Sequence, residues 1–401
     1  MKPFNAPSFR QHFPALRQPG VYLDSAATAL KPDAVITAIE QCYASETGNV
    51  HRSQHRAARQ LSASFELARG KVASFIGARQ ARSIVWTKGT TEAINLVAQC
   101  YARPRLQPGD EILVCESEHH ANLIPWLMVA QQTGARVVKL PIDADHQPSL
   151  HLLPSLLNTR TRLLAISQMS NVTGGMPDLR LAITLAHQAG AVVMVDGAQG
   201  IVHGQTDISA LDADFYAFSG HKLYGPTGIG VLYGKPDLLE SMPPWHGGGK
   251  MMTTVSFDGF TPQSIPQRFE AGTPHIAGVI GLAAAIDWWQ QQDRIAADKH
   301  SITLASDAEQ QLSVLPGFRS FRAPNSSLLS FTIEGVHHHD LVTLLAEDGI
   351  ALRAGHHCAQ PLMAALGVAG TLRASFAPYN QQQDVDKLVH STQKALELLM
   401  D

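Results

Sequence analysis

FYAFSGHKLYGPTGIG, residues 215–230, decides how this chain is read. Phe215 to Phe218 is an apolar run with the character of a buried strand. It leads directly into Ser219-Gly220-His221, then Lys222, then a glycine-rich turn. A lysine just past a buried strand lies at the carboxyl edge of an open α/β sheet, where such folds bind ligands. Two readings are open. A loop lysine is ordinarily a solvated charge. A lysine in a partly desolvated pocket loses proton affinity and can attack a carbonyl to form a Schiff base. The small and hydroxyl-bearing residues before Lys222 leave room for a phosphate, which favours the second reading.

Working outward, residues 83–234 alternate short β-rich runs with helical patterns. Strands are expected at 83–87, 111–115, 136–140, 163–169, 191–195, 215–218 and 229–233, and helices at 91–101, 121–132 and 179–188. This alternation predicts an α/β fold with a largely parallel sheet and helices on both faces. Residues 240–275 carry Pro243-Pro244, Gly247-Gly248-Gly249 and Gly272-Thr273-Pro274 and show little periodicity. A structureless stretch that long is usually functional or interfacial. A helical region runs from Val279 to about Leu315. The last eighty residues predict a small α+β domain ending in an amphipathic helix from Val385 to Met400.

The chain has 401 residues, of which 45% are hydrophobic and 16% charged, with a net charge of −3. That is enough apolar material for a large core plus a smaller companion. No basic block suggests a nucleic-acid groove. The opening Met1-Lys2-Pro3-Phe4-Asn5 lacks the apolar core of a secretory leader. The apolar stretch Ile276 to Ile286 is too short to span a bilayer. The expectation is a soluble, cytoplasmic protein that engages neither membrane nor nucleic acid. Four cysteines, Cys42, Cys100, Cys115 and Cys358, form no C-x-x-C pair, which argues against a disulfide scaffold or a structural zinc site.

Four further segments carry chemistry. In VVMVDGAQ (192–199), Asp196 ends an apolar strand. An acid there needs a cationic partner, which a protonated pyridine nitrogen or an arginine would supply; the alternative is a helix cap. In KGTTE (88–92), Thr90 and Thr91 stand at a strand-to-helix turn, either as ordinary caps or as a phosphate seat. In EHHAN (118–122), His119 could stack on a planar ring, lie in a polar turn or ligate a metal. In LRAGHHCA (352–359), Cys358 stands beside two histidines and near Arg353. It is a candidate nucleophile, although a free cysteine is more often a small buried hydrophobe. Cys42, Cys100 and Cys115 read as core residues.

Together these motifs are more specific than any one of them. The chain resembles the aminotransferase class V group of fold-type I pyridoxal-phosphate enzymes, and within it the second group of cysteine desulfurases. The resemblance runs through YLDSAATALKP (22–32), VHR (50–52), GTTEAINLVA (89–98), EHHANLIPW (118–126), SNVTG (170–174), VDGAQ (195–199), FSGHKLYGPTGIGVLY (218–233), FEAGTP (269–274) and RAGHHCAQPLM (353–363). It implies a large domain at 20–288 with a mostly parallel seven-stranded sheet, and a small α+β domain of 1–19 plus 289–401 carrying Cys358. By the same resemblance, Lys222 would hold the cofactor pyridoxal 5'-phosphate and act as base. Asp196 would pair with the pyridine nitrogen, Gln199 would face the ring hydroxyl, and His119 would stack on the ring as a third catalytic residue. Thr90, Thr91, Ser219 and His221 would hold the phosphate, joined by Thr273 from the partner subunit of a homodimer. Asn171 would lie near ring and substrate. Arg353 and Arg373 would grip the substrate carboxylate, and His51 and Arg52 would lie near the entrance. Cys358 would take sulfur as a persulfide.

The implied reaction turns L-cysteine into L-alanine, with cysteine sulfinate and selenocysteine as further substrates. An acceptor protein would then take the sulfur, because the short R-A-G-H-H-C tether limits the reach of Cys358. The alternatives are a desulfurase or selenocysteine lyase dedicated to iron–sulfur cluster assembly or selenium supply. A class V transaminase would not need Cys358, and a sulfur-carrier scaffold would not need Lys222 and Asp196 together. A metal hydrolase is suggested by the 19 histidines but has no H-E-x-x-H spacing, and His337-His338-His339 reads as the cap of a surface helix.

Overall fold

The apolar strands dictate the architecture. In the computed structural model, which describes residues 3–45, 48–51 and 54–400, seven of them form one sheet. In chain order they are β1 (Ile84–Thr87), β2 (Glu111–Cys115), β3 (Arg136–Leu140), β4 (Thr161–Ser167), β5 (Val192–Asp196), β6 (Phe215–Ser219) and β7 (Gly230–Gly234). Their spatial order is β1-β7-β6-β5-β4-β2-β3. The pairings from β6 across to β3 are parallel, while β7 runs antiparallel to both β1 and β6. The sheet is therefore mostly parallel, as expected, and β7 is the exception.

Side chains alternate across a strand, so each strand feeds two cores. Trp86, Leu113, Leu164, Val193, Val195, Tyr216, Phe218 and Val231 enter one buried cluster, with residues of helices Arg56–Phe75, Leu179–Gln188 and Ile276–Gln290. Val85, Ile112, Leu163, Met194, Phe215 and Leu232 enter the other, under helices Thr90–Leu96 and Ile124–Thr133. Both faces being covered explains why these strands read as unbroken apolar runs.

The C-terminal part builds a four-stranded antiparallel sheet in the order Phe318–Ser320, Leu328–Ile333, Thr371–Ser375, Arg353–Gly355. Its own core holds Leu304, Leu329, Phe331, Leu341, Leu372 and Leu388, and Val21 and Leu23 join it from the N-terminal segment. Phe9 and Phe13 instead pack on Trp288 and Tyr224 in the larger core.

Two segments differ from expectation. The 240–275 stretch, read as irregular, contains an antiparallel hairpin of Met252–Ser256 and Gly259–Pro262. Its residues are almost all exposed, so no buried face imprinted a period on the sequence. The helical region after Val279 is two helices, Ile276–Gln290 and Arg294–Leu312. Asp293 caps the second by accepting a hydrogen bond from the Ala296 N–H. His337 caps helix His338–Glu347 at the surface, as read.

Candidate active site

Three strand ends define the floor. Ser167 of β4 lies opposite Asp196 of β5, which lies opposite Ala217 of β6, two residues before Ser219. Beyond Ser219 the chain makes a tight 3₁₀ turn, Gly220–Lys222, fixed by the hydrogen bond from Gly220 N–H to Ile229 O at 2.9 Å. The turn delivers Lys222 into a cavity of about 210 Å³. Close backbone contact seats the neighbouring loop: a Cβ on Gly230 would lie 2.4 Å from the Cα of Gly89, so a side chain there would push the turn before Thr90 away.

Lys222 keeps a little accessible surface, on the cavities that flank it. Burial of its amine pushes its pKa from 10.5 down to about 8; the attraction of Asp196 opposes this, while Arg373 and Arg353 add to it. Asp196 is buried, and burial raises its pKa against the hydrogen bond from Ala198 N–H (2.8 Å) and the pull of Lys222. No basic side chain of the described residues ion-pairs with it at close range. His119 is pushed down to about 4, first by burial and then by Lys222, His120 and Arg373. Its Nδ1 accepts from Ala121 N–H at 3.0 Å, which leaves Nε2 as the protonated nitrogen of a neutral ring. Gln199 also lines the cavity, its amide donating to Ala26 O at 2.6 Å.

A hydroxyl cluster closes one end. The Thr90 and Ser219 hydroxyls are 2.7 Å apart, and the Thr90 N–H donates to Ser219 Oγ at 2.9 Å. Thr91 and His221 stand beside them on the cavity wall. Burial pushes His221 to about 4. Its carbonyl accepts from Lys31 Nζ at 2.8 Å, and burial lowers Lys31 to about 8.

The C-terminal sheet supplies the other wall. Arg353 and Arg373 are directly opposed cross-strand neighbours. Like charges so placed repel, and Asp24 separates them, at 3.2 Å from Arg353 and 3.5 Å from Arg373. Arg373 also donates to Asn171 O at 2.7 Å, and its buried Nε has no partner among the described residues. Asn171 donates to His357 O at 2.7 Å and leaves its own Oδ1 unpartnered. Cys358, exposed at the mouth, lines the same cavity. His357 and Cys358 have φ of 51° and 54°, the left-handed region that ordinary residues avoid. The strain is held by the hydrogen bond from His120 N–H to Cys358 O (2.6 Å), by Asn171, and by His357 Nε2 at 2.9 Å from Thr371 Oγ1. The other three cysteines are buried, and burial pushes Cys100 and Cys115 up to about 12.

Not every expected residue is here. Thr273 and His51 do not line the cavity. Thr273 is exposed and accepts from Asn49 at 3.3 Å, while His51 pairs with Glu66 at 3.1 Å. Arg52 lies outside the described residues. Residues given no role from sequence stand close to the chemistry. Asp24 and Lys31 both lie in YLDSAATALKP. Glu118 is buried behind His119, bonded by the Ser167 N–H and hydroxyl and by Asn122, and burial pushes it up to about 8. Among the described residues no cluster of His, Cys, Asp and Glu could hold a metal ion, and no helix is long and apolar enough to cross a membrane.

The cavity suits a flat, aromatic, phosphorylated cofactor. A buried acid without a basic partner faces a lysine of lowered proton affinity, a neutral imidazole stands beside them, and hydroxyls gather at a helix start. The aminotransferase class-V family model matches residues 21–388. Cysteine desulfurase CsdA of Escherichia coli (strain K12) is 65% identical over 401 residues, covering 100% of both chains. A probable cysteine desulfurase of Vibrio cholerae is 54% identical, covering 98% of this chain and 99% of its own. The crystal structure of E. coli CsdA (S-sulfonic acid) superposes with a TM-score of 0.95, covering 99% of this chain and 100% of that one. The apo cysteine desulfurase of Thermococcus onnurineus NA1, at 33% identity, gives 0.94 and covers 100% of both chains.

Proposed function

The chain belongs to the aminotransferase class-V family, and from that premise we propose that it is a pyridoxal-phosphate-dependent cysteine desulfurase in which Lys222 is the base and Cys358 accepts the sulfur. The observation that carries this reading is the meeting of Lys222, Asp196 and Cys358 in one cavity with Cys358 at its mouth. Thr90, Thr91, Ser219 and His221 would hold the phosphate, Asp196 would face the ring nitrogen, Gln199 the ring hydroxyl, and His119 a ring face. When bound, the cofactor supplies an electron sink for the charge left at the substrate Cα.

The remaining work falls to this chain's own groups. Arg373 and Arg353 would bind the substrate carboxylate, the unpartnered Nε of Arg373 being one available donor. Lys222, with its lowered pKa, holds enough neutral amine near pH 7 to take the Cα proton. Cys358 as thiolate attacks the substrate sulfur. The Cβ–S bond breaks, its electron pair goes to Cβ and an S–S bond forms on Cys358; a proton added at Cβ, matching the one lost from the substrate thiol, and return of the Cα proton held by Lys222 complete L-alanine. The sulfur would then pass to an acceptor protein at the exposed mouth.

A homodimer is part of this reading. It is supported by the exposed apolar residues Tyr43 and Leu67 and, on the hairpin, Val255, Phe257 and Phe260, and it would bring Thr273 of one copy toward the other's phosphate. The division into 20–288 and 1–19 plus 289–401 belongs to it as well; the separate core of the C-terminal sheet supports it for the C-terminal part, whereas Phe9 and Phe13 of 1–19 pack in the larger core. So does a cytoplasmic setting, supported by there being no disulfide among the described residues.

Borohydride reduction of the loaded protein, followed by peptide mass analysis, tests the assignment. The cofactor should be fixed on Lys222, and incubation with L-cysteine should add one sulfur to Cys358. Fixation on another lysine, or sulfur on another cysteine, refutes it.

A further inference from the structure

Behind Lys222 lies a second, smaller chamber of about 30 Å³. It shares Lys222, Gln199 and Ala26 with the front cavity but none of Cys358, Arg353 or Arg373. Its wall is mostly apolar but carries a few polar groups. Ser327 Oγ and Trp289 Nε1 belong to lining residues and are buried without a hydrogen-bond partner among the described residues. Buried polar atoms of this kind are usually satisfied by ordered water, and a chamber this size has room for about two molecules. His203 and Asp298 also line it, with His203 Nδ1 2.7 Å from Asp298 Oδ1. The pair is 16% and 23% exposed, so it borders both chamber and solvent.

We propose that this chamber is an internal water site through which Lys222 exchanges protons with solvent by way of His203 and Asp298. The inference rests on Lys222 being the base. Substrate bound in the front cavity would stand between Lys222 and the mouth, whereas the chamber reaches Lys222 without passing Cys358, Arg353 or Arg373. At the rear, the Lys222 ammonium gives one proton to a chamber water, which gives one to Nε2 of His203, the nitrogen not facing Asp298. The imidazolium is steadied by Asp298 and passes its proton to bulk water, so one proton enters the path and one leaves it. The charged and titratable groups in reach are Asp196, His119, His221, Arg353, Arg373 and Cys358 on the front side of Lys222, and His203, Asp298 and Tyr224 with Tyr379 behind it. Apart from Lys222, the titratable lining residues that keep accessible surface are His203 and Asp298, and they join the chamber to the outside.

The test is loss of Cα deuterium from L-[2-²H]alanine in ordinary water, followed by NMR on the loaded enzyme. Wild type should wash the label out. His203→Gln should slow wash-out at least tenfold while borohydride still fixes the cofactor on Lys222, and added imidazole should restore exchange, which a merely structural defect would not allow. Unchanged wash-out in loaded His203→Gln overturns the relay alone. No wash-out in wild type removes the assignment of Lys222 and the relay with it. Should the variant fail to fold, a high-resolution crystal structure of the wild type decides: ordered water in the chamber supports the path, and a dry chamber overturns it.

Discussion

The lowered proton affinity of Lys222 can be turned into a rate. A lysine of pKa 10.5 is about 0.03% neutral at pH 7, whereas one at about 8 is ~10% neutral, a gain of roughly 300-fold in reactive amine. The same shift costs the ammonium form about 3 kcal/mol inside the protein. Cofactor-free protein mixed with pyridoxal phosphate should therefore capture it with a rate that climbs with pH and levels off above about 8. Asp196→Asn removes the negative charge that props this value up, so the midpoint should move below about 8 even though the loaded variant is a poorer enzyme. The assay is stopped-flow absorbance across pH 6 to 11. A wild-type midpoint at 10 or above, or a midpoint that rises in Asp196→Asn, refutes the claim that burial governs this amine.

Three other outcomes are expected. His119 and His221, held down to about 4, and His357, to about 3, stay neutral in the fold, while the unfolded chain takes up their protons below about 6.5. Their contribution to stability is therefore complete above that pH and is lost as pH falls toward 3–4. Urea unfolding of cofactor-free protein at pH 5.5 should show a net loss of roughly 1.5 kcal/mol relative to pH 7.5, the three rings costing ~4 and Glu118, protonated in the fold up to about 8, returning about 2.5; a gain instead of a loss counts against the burial of these rings. Arg69→Ala leaves Glu270 without the buried guanidinium that now donates to both its oxygens, and should destabilise the protein by about 3–5 kcal/mol in the same measurement. Cys358→Ala should lower alanine formation from cysteine by more than ~100-fold. It should spare the sulfinate, whose leaving fragment departs without thiol attack; equal losses on both substrates contradict that difference.

The strands announced themselves because both sheet faces are covered, and Lys222, Asp196 and Cys358 stood in segments whose residue types point to chemistry. What escaped the reading depends on distance along the chain or on missing periodicity. Asp24 matters through arginines 329 and 349 positions away, a proximity no local pattern encodes. The antiparallel course of β7 was in principle readable, since residues 220–229 are too few for the crossover that a parallel partner needs. The exposed hairpin left only Asp258-Gly259 as a turn signal. Glu270 of FEAGTP proves to be a scaffold residue, accepting from the Trp86 N–H and Arg69 rather than facing the cavity. The left-handed backbone at His357 and Cys358 carries no glycine to betray it.

The loop bearing Cys358 springs from the four-stranded sheet yet is pinned to the other body of the protein, by His120 on one flank and Asn171 on the other. A hinge that parted the two bodies to let alanine escape would have to snap both pins at once. Opening and withdrawal of the sulfur would then be a single event. A loaded persulfide would then be collected while the enzyme is shut, and the shape of the closed rim, rather than a swing of the loop, would select who collects it.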